Sequence, residues 1–196
     1  QVQSFDGMLE GDALEAVVLR LADTDEVVAR RLKRAEIEGR EDDSRPCVGA
    51  TYCRERIYQG GMALCIHNPS SGREETLPHD VEPAATRRRV VLVGAGPAGL
   101  EAARVAALRG HEVIVFEAAA KPGGQVLLTS QSKRRAEMIG IIDWRMAQCA
   151  ARDVTFHFNT WAEAGDVLAL KPDVVIISTG GMPEWGIRAS CCALAV

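Results

Sequence analysis

Hydrophobic and polar positions follow two different rhythms along the chain, separated by a stretch with none. In residues 1–40 the apolar positions recur at helical spacing: Leu14, Val17, Val18 and Leu21, then Val27, Val28, Leu32, Ala35 and Ile37. Asp12 with Glu15, and Asp23 with Glu26, have the spacing of helix-starting residues, and Gly39 marks a stop. Two helices are predicted there. Residues 41–87 hold no period and carry Pro46, Pro69, Pro78 and Pro83 with several glycines. Such a loop-rich segment needs an external cross-link, such as a bound metal, to keep one shape.

From residue 88 the pattern becomes strict. Val90–Val93 is a short apolar run that predicts a buried strand, Pro97–Arg109 a helix stopped by Gly110, and Glu112–Glu117 a second strand. Lys133–Ala151 predicts a helix, Val154–Phe158 a strand, and Val174–Ile177 another buried strand. Strands alternating with helices imply a parallel sheet with right-handed crossovers. The predicted fold class is therefore α/β, a three-layer dinucleotide-binding (Rossmann-like) parallel sheet preceded by helices and a cysteine-containing linker. The predicted divisions are 1–40, 41–87, 88–183 and an irregular tail at 184–196.

Candidate chemistry sits at the strand ends. Gly94-Ala95-Gly96-Pro97-Ala98-Gly99 fits G-x-G-x-x-G directly after a strand and before a helix. In that context Gly94 permits the tight turn, Gly96 leaves room for a pyrophosphate, and Gly99 lets helix and strand approach. The helix start offers free N–H groups to phosphate. Glu117 at the end of the second strand suits a ribose 2′-hydroxyl and repels a 2′-phosphate, which favours FAD, NAD or ADP over NADP. Gly124 and Gln125 follow the acidic strand, and Thr179 and Gly180 end the last one, on the edge where such sheets bind ligands. Read alone, these two are ordinary turns.

Three cysteines, Cys47, Cys53 and Cys65, fall in the aperiodic segment. Their spacing suits an iron–sulfur cluster or zinc, or equally a set of inert thiols. Ala50 occupies the position that would complete a C-x-x-C-x-x-C run. His67 could supply a nitrogen ligand, although an ordinary loop role is the plainer reading. No residue stands out as a catalytic acid, base or nucleophile.

Composition narrows the partners. A formal net charge of −4 and only 5% aromatic residues argue against nucleic acid. No apolar run is long enough for a membrane span. The missing export signal suggests the cytoplasm.

Arg45-Pro46-Cys47-Val48-Gly49, Cys53, Cys65-Ile66-His67-Asn68-Pro69, the Arg89–Gly99 run and Lys171-Pro172-Asp173 leading to Ser178-Thr179-Gly180-Gly181 together resemble one family. It is the NADH:flavin oxidoreductases of old yellow enzyme type, in their multidomain form, with an N-demethylase flavour. The resemblance spans about Ala22 to Pro183. It implies an FMN-binding (β/α)₈ barrel in the full-length parent, of which residues 1–40 would be the last helices. It further implies a 4Fe-4S or 3Fe-4S cluster at Cys47, Cys53 and Cys65, and an FAD or ADP site at Gly94, Ala95, Gly96, Pro97, Ala98, Gly99, Glu117, Gly124, Gln125, Thr179 and Gly180. FMN belongs to the parent only, and an oligomer would form through its barrel. The expectation is thus an incomplete polypeptide that relays electrons in a larger oxidoreductase. The competing expectations are a non-catalytic adenine-nucleotide module, a zinc-stapled structural protein and an inactive remnant.

Overall fold

The computed structural model describes residues 37–39 and 43–181. The two N-terminal helices, apart from 37–39, and the tail at 184–196 lie outside the described residues. From Arg45 onward the described residues belong to one compact unit.

That unit is built on four parallel strands: β1 (Arg89–Val93), β2 (Glu112–Phe116), β3 (Thr155–His157) and β4 (Val174–Ile177), in the order β3-β2-β1-β4. The register pairs Val91 with Ile114 on one side and with Val175 on the other. The central strand is apolar on both faces, as a sheet covered on both sides requires; Val91 and Leu92 are fully buried.

Helices cover the two faces. The segment after β1 forms α2 (Pro97–Leu108), and the one before β3 forms α4 (Gly140–Ala150). Their inner residues Leu100, Ala103, Ile141, Ile142 and Cys149 join Val90, Leu92, Val113 and Val115 in the main core. Burial pushes the Cys149 thiol up to about 11, so it stays protonated and packs as a small hydrophobe. On the other face α5 (Ala164–Ala169) places Val167 against Val91 and Phe116. The result is the three-layer parallel sheet that the alternating pattern implies.

Four elements differ from the sequence expectation. Residues 41–87 contain a helix, α1 (Tyr52–Tyr58), none of whose residues is buried. A short helix, α3 (Gln125–Ser130), follows the glycine pair, and Lys133–Ala151 splits into a 3₁₀ segment (Lys133–Ile139) and α4. The junction falls at Gly140, where the chain is in van der Waals contact with the cysteine segment: a Cβ there would lie 3.4 Å from Val48 Cγ1. The fourth is β4, expected to be buried. It pairs with β1 alone among the described strands, and Val175 and Ile177 are 42% and 75% exposed. Its apolar run belongs to a strand at the sheet edge.

Candidate functional site

The carboxyl ends of β1, β2 and β4 meet, and every predicted nucleotide-site residue lies there. Gly94 leaves β1 at φ 103°, a left-handed conformation, and its N–H donates to Phe116 O at the end of β2. A Cβ at Gly94 would lie 2.6 Å from Ser178 O, so the turn has no room for a side chain. Gly99, one turn into α2, comes closer still: a Cβ there would overlap the Gly94 carbonyl and lie 2.5 Å from Ser178 Oγ. Ser178 fastens the arrangement by donating from Oγ to Gly94 O at 2.9 Å.

Gly96 is different. Its backbone is extended, it caps α2, and a Cβ would meet nothing within 4 Å. The space beside it is bounded by the Gly123-Gly124 turn. Gly123 N–H donates to Ala95 O at 2.8 Å, and a Cβ on Gly124 would lie 3.6 Å from Gly96 Cα. The two glycine turns thus lie against each other at the start of a twelve-residue helix, with open space beside Gly96. Pro97 has no N–H to lose at the first helical position, while the Ala98 and Gly99 amides lack intrahelical carbonyl partners. A phosphate group fits such a cradle.

Glu117 stands beside the cradle. Its carboxylate accepts from Ala95 N at 2.6 Å and from Ala119 N at 2.9 Å, which pins the glycine turn from the side. A carboxylate has further lone pairs to offer a ribose hydroxyl. Gln125 opens α3 and donates from Nε2 to Gly181 O at 3.5 Å, linking that helix to the Thr179-Gly180 exit of β4. The sequence points to both turns, the Gly123-Gly124 pair and the Ser178-Thr179-Gly180-Gly181 strand exit; the structure adds how Gly123 and Ser178 fasten them, through hydrogen bonds to partners remote in sequence.

The cysteines present another picture. Cys47 and Cys53 are exposed and Cys65 is half-buried. Among the described residues no group of three or more His, Cys, Asp or Glu side chains is arranged to hold a metal ion. The donor set, three thiols with Ala50 in a fourth position, does not fit an iron–sulfur centre in this arrangement. No electron-transfer step through one follows from this geometry.

His67 does not serve as a nitrogen donor. It is 1% exposed, lies edge-on to Trp144 and takes a hydrogen bond on Nδ1 from Arg145 at 2.8 Å. Burial, then the charges of Arg145 and Arg45, lower its pKa to about 4. With Nδ1 accepting, the ring proton is on Nε2, which is buried and unpartnered in the structure. That nitrogen has no lone pair for a metal.

Around His67 lies a polar centre with no sequence forewarning. The Glu101 carboxylate on α2 receives Arg104 at 2.6 Å, Arg145 at 2.8 Å and Arg45 at 3.1 Å. Burial alone would raise the Glu101 pKa. The hydrogen bond and charge of Arg104, with Arg145 and Arg45, instead hold it down to about 2. Arg45 also lies over the Trp144 ring at 4.2 Å.

Comparison with known proteins agrees with this fold. Residues 92–141 match the NAD(P)-binding Rossmann-like domain. The chain is 66% identical over 161 residues to a probable N-methylproline demethylase of Rhizobium meliloti, covering 82% of this chain and 23% of that protein. It is 51% identical over 146 residues to a multifunctional alkene reductase/demethylase of Caballeronia cordobensis, covering 74% of this chain and 21% of the relative. Among solved structures, 2-naphthoyl-CoA reductase superposes with a TM-score of 0.73 at 34% identity, over 78% of this chain and 23% of its own. The chain therefore spans about a quarter of the length of these relatives. With its Rossmann-like sheet and glycine cradle, it belongs to the multidomain NADH:flavin oxidoreductase family of old yellow enzyme type.

Proposed function

We propose that this chain is the adenine-nucleotide-binding portion of a flavin-dependent oxidoreductase, holding FAD or ADP at the carboxyl edge of its sheet. The observation that carries the reading is the open gap at Gly96, faced by the Gly123-Gly124 turn and flanked by Glu117. Ala98 and Gly99 would donate their amides to the pyrophosphate. Glu117 would accept from the ribose hydroxyls and, by its charge, discriminate against a 2′-phosphate. Gly124, Gln125, Thr179 and Gly180 would line the far side. Bound FAD would supply the electron-accepting ring, and the residues of this chain would hold and orient it.

In the longer protein the reading extends to oxidation of an amine with loss of an N-methyl group. The names of the two curated relatives, both demethylases, support that extension. An iron–sulfur centre at Cys47, Cys53 and Cys65 is the family expectation, and nucleotide binding stands without it.

Gly96→Val tests the proposal. The added Cβ meets nothing within 4 Å in the protein, so the fold should hold, while FAD and ADP affinity should fall at least about tenfold by calorimetric titration. Unchanged affinity in a folded Gly96→Val variant would remove the cradle as the binding site. ADP binding with no uptake of FAD would make the nucleotide a structural ligand and end the flavin reading for this chain.

A further inference from the structure

The aperiodic cysteine segment is ordered here by contacts that need no metal. Both of its ends converge on one place. Arg45, just before Cys47, donates from Nη1 to His67 O, just after Cys65. Arg145 on α4 donates from Nη2 to the same carbonyl at 3.0 Å and from Nη1 to His67 Nδ1. Arg45 and Arg145 both pair with Glu101 on α2, and Trp144 packs against Arg45 and His67. Between these ends Val48 is 6% exposed and shares the main core with Leu92 and Leu100.

We propose that Glu101 and Arg145 are positioning residues that clasp the segment from Arg45 to His67 onto the nucleotide-binding helix without a metal. A loop without internal periodicity keeps one shape only if something outside it fixes its ends. The clasp fixes both at once, through a carboxylate and a guanidinium held at the core boundary, where ion pairs are least screened. The three thiols contribute nothing comparable, since two are exposed and the described residues form no three-ligand group. The clasp lies between α2 and α4 and uses none of the residues of the glycine cradle, so the inference goes beyond nucleotide binding and does not depend on it.

Hydrogen–deuterium exchange on the full chain tests this, comparing peptides over 45–72 with peptides over 89–116. The triple variant Cys47→Ser, Cys53→Ser, Cys65→Ser should retain protection over 45–72 within about twofold of the unaltered protein. Glu101→Gln should speed exchange over 45–72 by about tenfold or more while 89–116 stays within about twofold. Loss of protection in the triple serine variant overturns the proposal, because the thiols would then be the fastening. Retained protection in Glu101→Gln overturns it equally. Should Glu101→Gln open 89–116 as well, Arg45→Met decides. It removes one ion pair and leaves Glu101 with two arginines. Opening of 45–72 alone supports the clasp, and full protection overturns it. FAD titration of the same samples reports separately on the cradle, so failure of one reading is distinguishable from failure of the other.

Discussion

Gly99 and His67 show how a single position can be fixed by what surrounds it. Gly99 was legible in the sequence, because G-x-G-x-x-G after a strand demands a close helix approach there, and the structure shows why. Gly99→Ala would drive a methyl into the Gly94 carbonyl and Ser178 Oγ. A loss of about 1–3 kcal/mol in chemical denaturation is expected, as for other overpacked sites. That contrasts with Gly96→Val, which should cost binding and little stability. His67 was not legible. A histidine in a proline-rich loop reads as a surface residue, and its burial comes from Arg145 and Trp144 far along the chain. Its titration follows from that burial. The folded pKa of about 4 lies below the ordinary 6.5, so the unfolded chain takes up a proton first. The resulting stability is complete above pH 6.5 and is lost as pH falls from there toward 4, on the order of 3 kcal/mol in all. Glu101, held down to about 2, adds a second loss of the same sign below pH 4.5. Urea midpoints measured from pH 7 to 4.5 should fall in the unaltered protein and stay flatter in His67→Gln. Parallel curves would show that His67 does not carry the effect.

At the level of elements, local pattern served well where it was strong and poorly where partners were remote. The strand predicted over Val90–Val93 and the helix predicted over Pro97–Arg109 agree with β1 and α2 to within a residue, because apolar runs bounded by glycines leave few alternatives. The Lys133–Ala151 helix was half right. Its first part winds as a 3₁₀ turn, and the change to α-helix falls where Gly140 passes Val48. The prediction could not foresee that contact, since it joins the segment before the sheet to a crossover between two of its strands. Helix α1 escaped notice for the opposite reason: with no buried residue, Tyr52–Tyr58 has no apolar stripe to betray it. The strand Val174–Ile177 was found but its burial was misjudged. Four β-branched residues look alike in a central strand and in one whose second neighbour is absent from the described residues. That misjudgement has a practical side. Among the described residues β4 has no second neighbouring strand and leaves Val175 and Ile177 exposed, and an edge of this kind is a template for pairing between copies. Val175→Lys with Ile177→Lys should reduce light scattering of concentrated protein at unchanged nucleotide affinity. Unaltered scattering would show that association runs through another surface.

Across the whole molecule the cysteine segment and the nucleotide fold behave as one body, because Val48 sits in the core and the clasp grips α2 and α4. The candidate nucleotide site could be read almost entirely in advance, since its glycines obey a backbone rule that leaves a sequence trace. The clasp could not, since a carboxylate inside a helix and an arginine in the next one are everyday residues until the fold brings them together. No helix among the described residues is long and apolar enough to cross a membrane. The clasp also has a meaning for chain statistics. By bonding Arg45 to a carbonyl 22 positions away, it closes a ring in the polypeptide much as a covalent bridge does, yet reversibly. The entropy lost on closing such a ring grows only with the logarithm of its length, about 0.6 kcal/mol for each doubling. The part of the ring beyond the buried Val48 is therefore nearly free to lengthen, shorten or change sequence, whereas Val48 and the few side chains at its neck are not. Variation among relatives of this protein should accordingly concentrate between Cys53 and Cys65 and avoid Arg45, His67, Glu101 and Arg145.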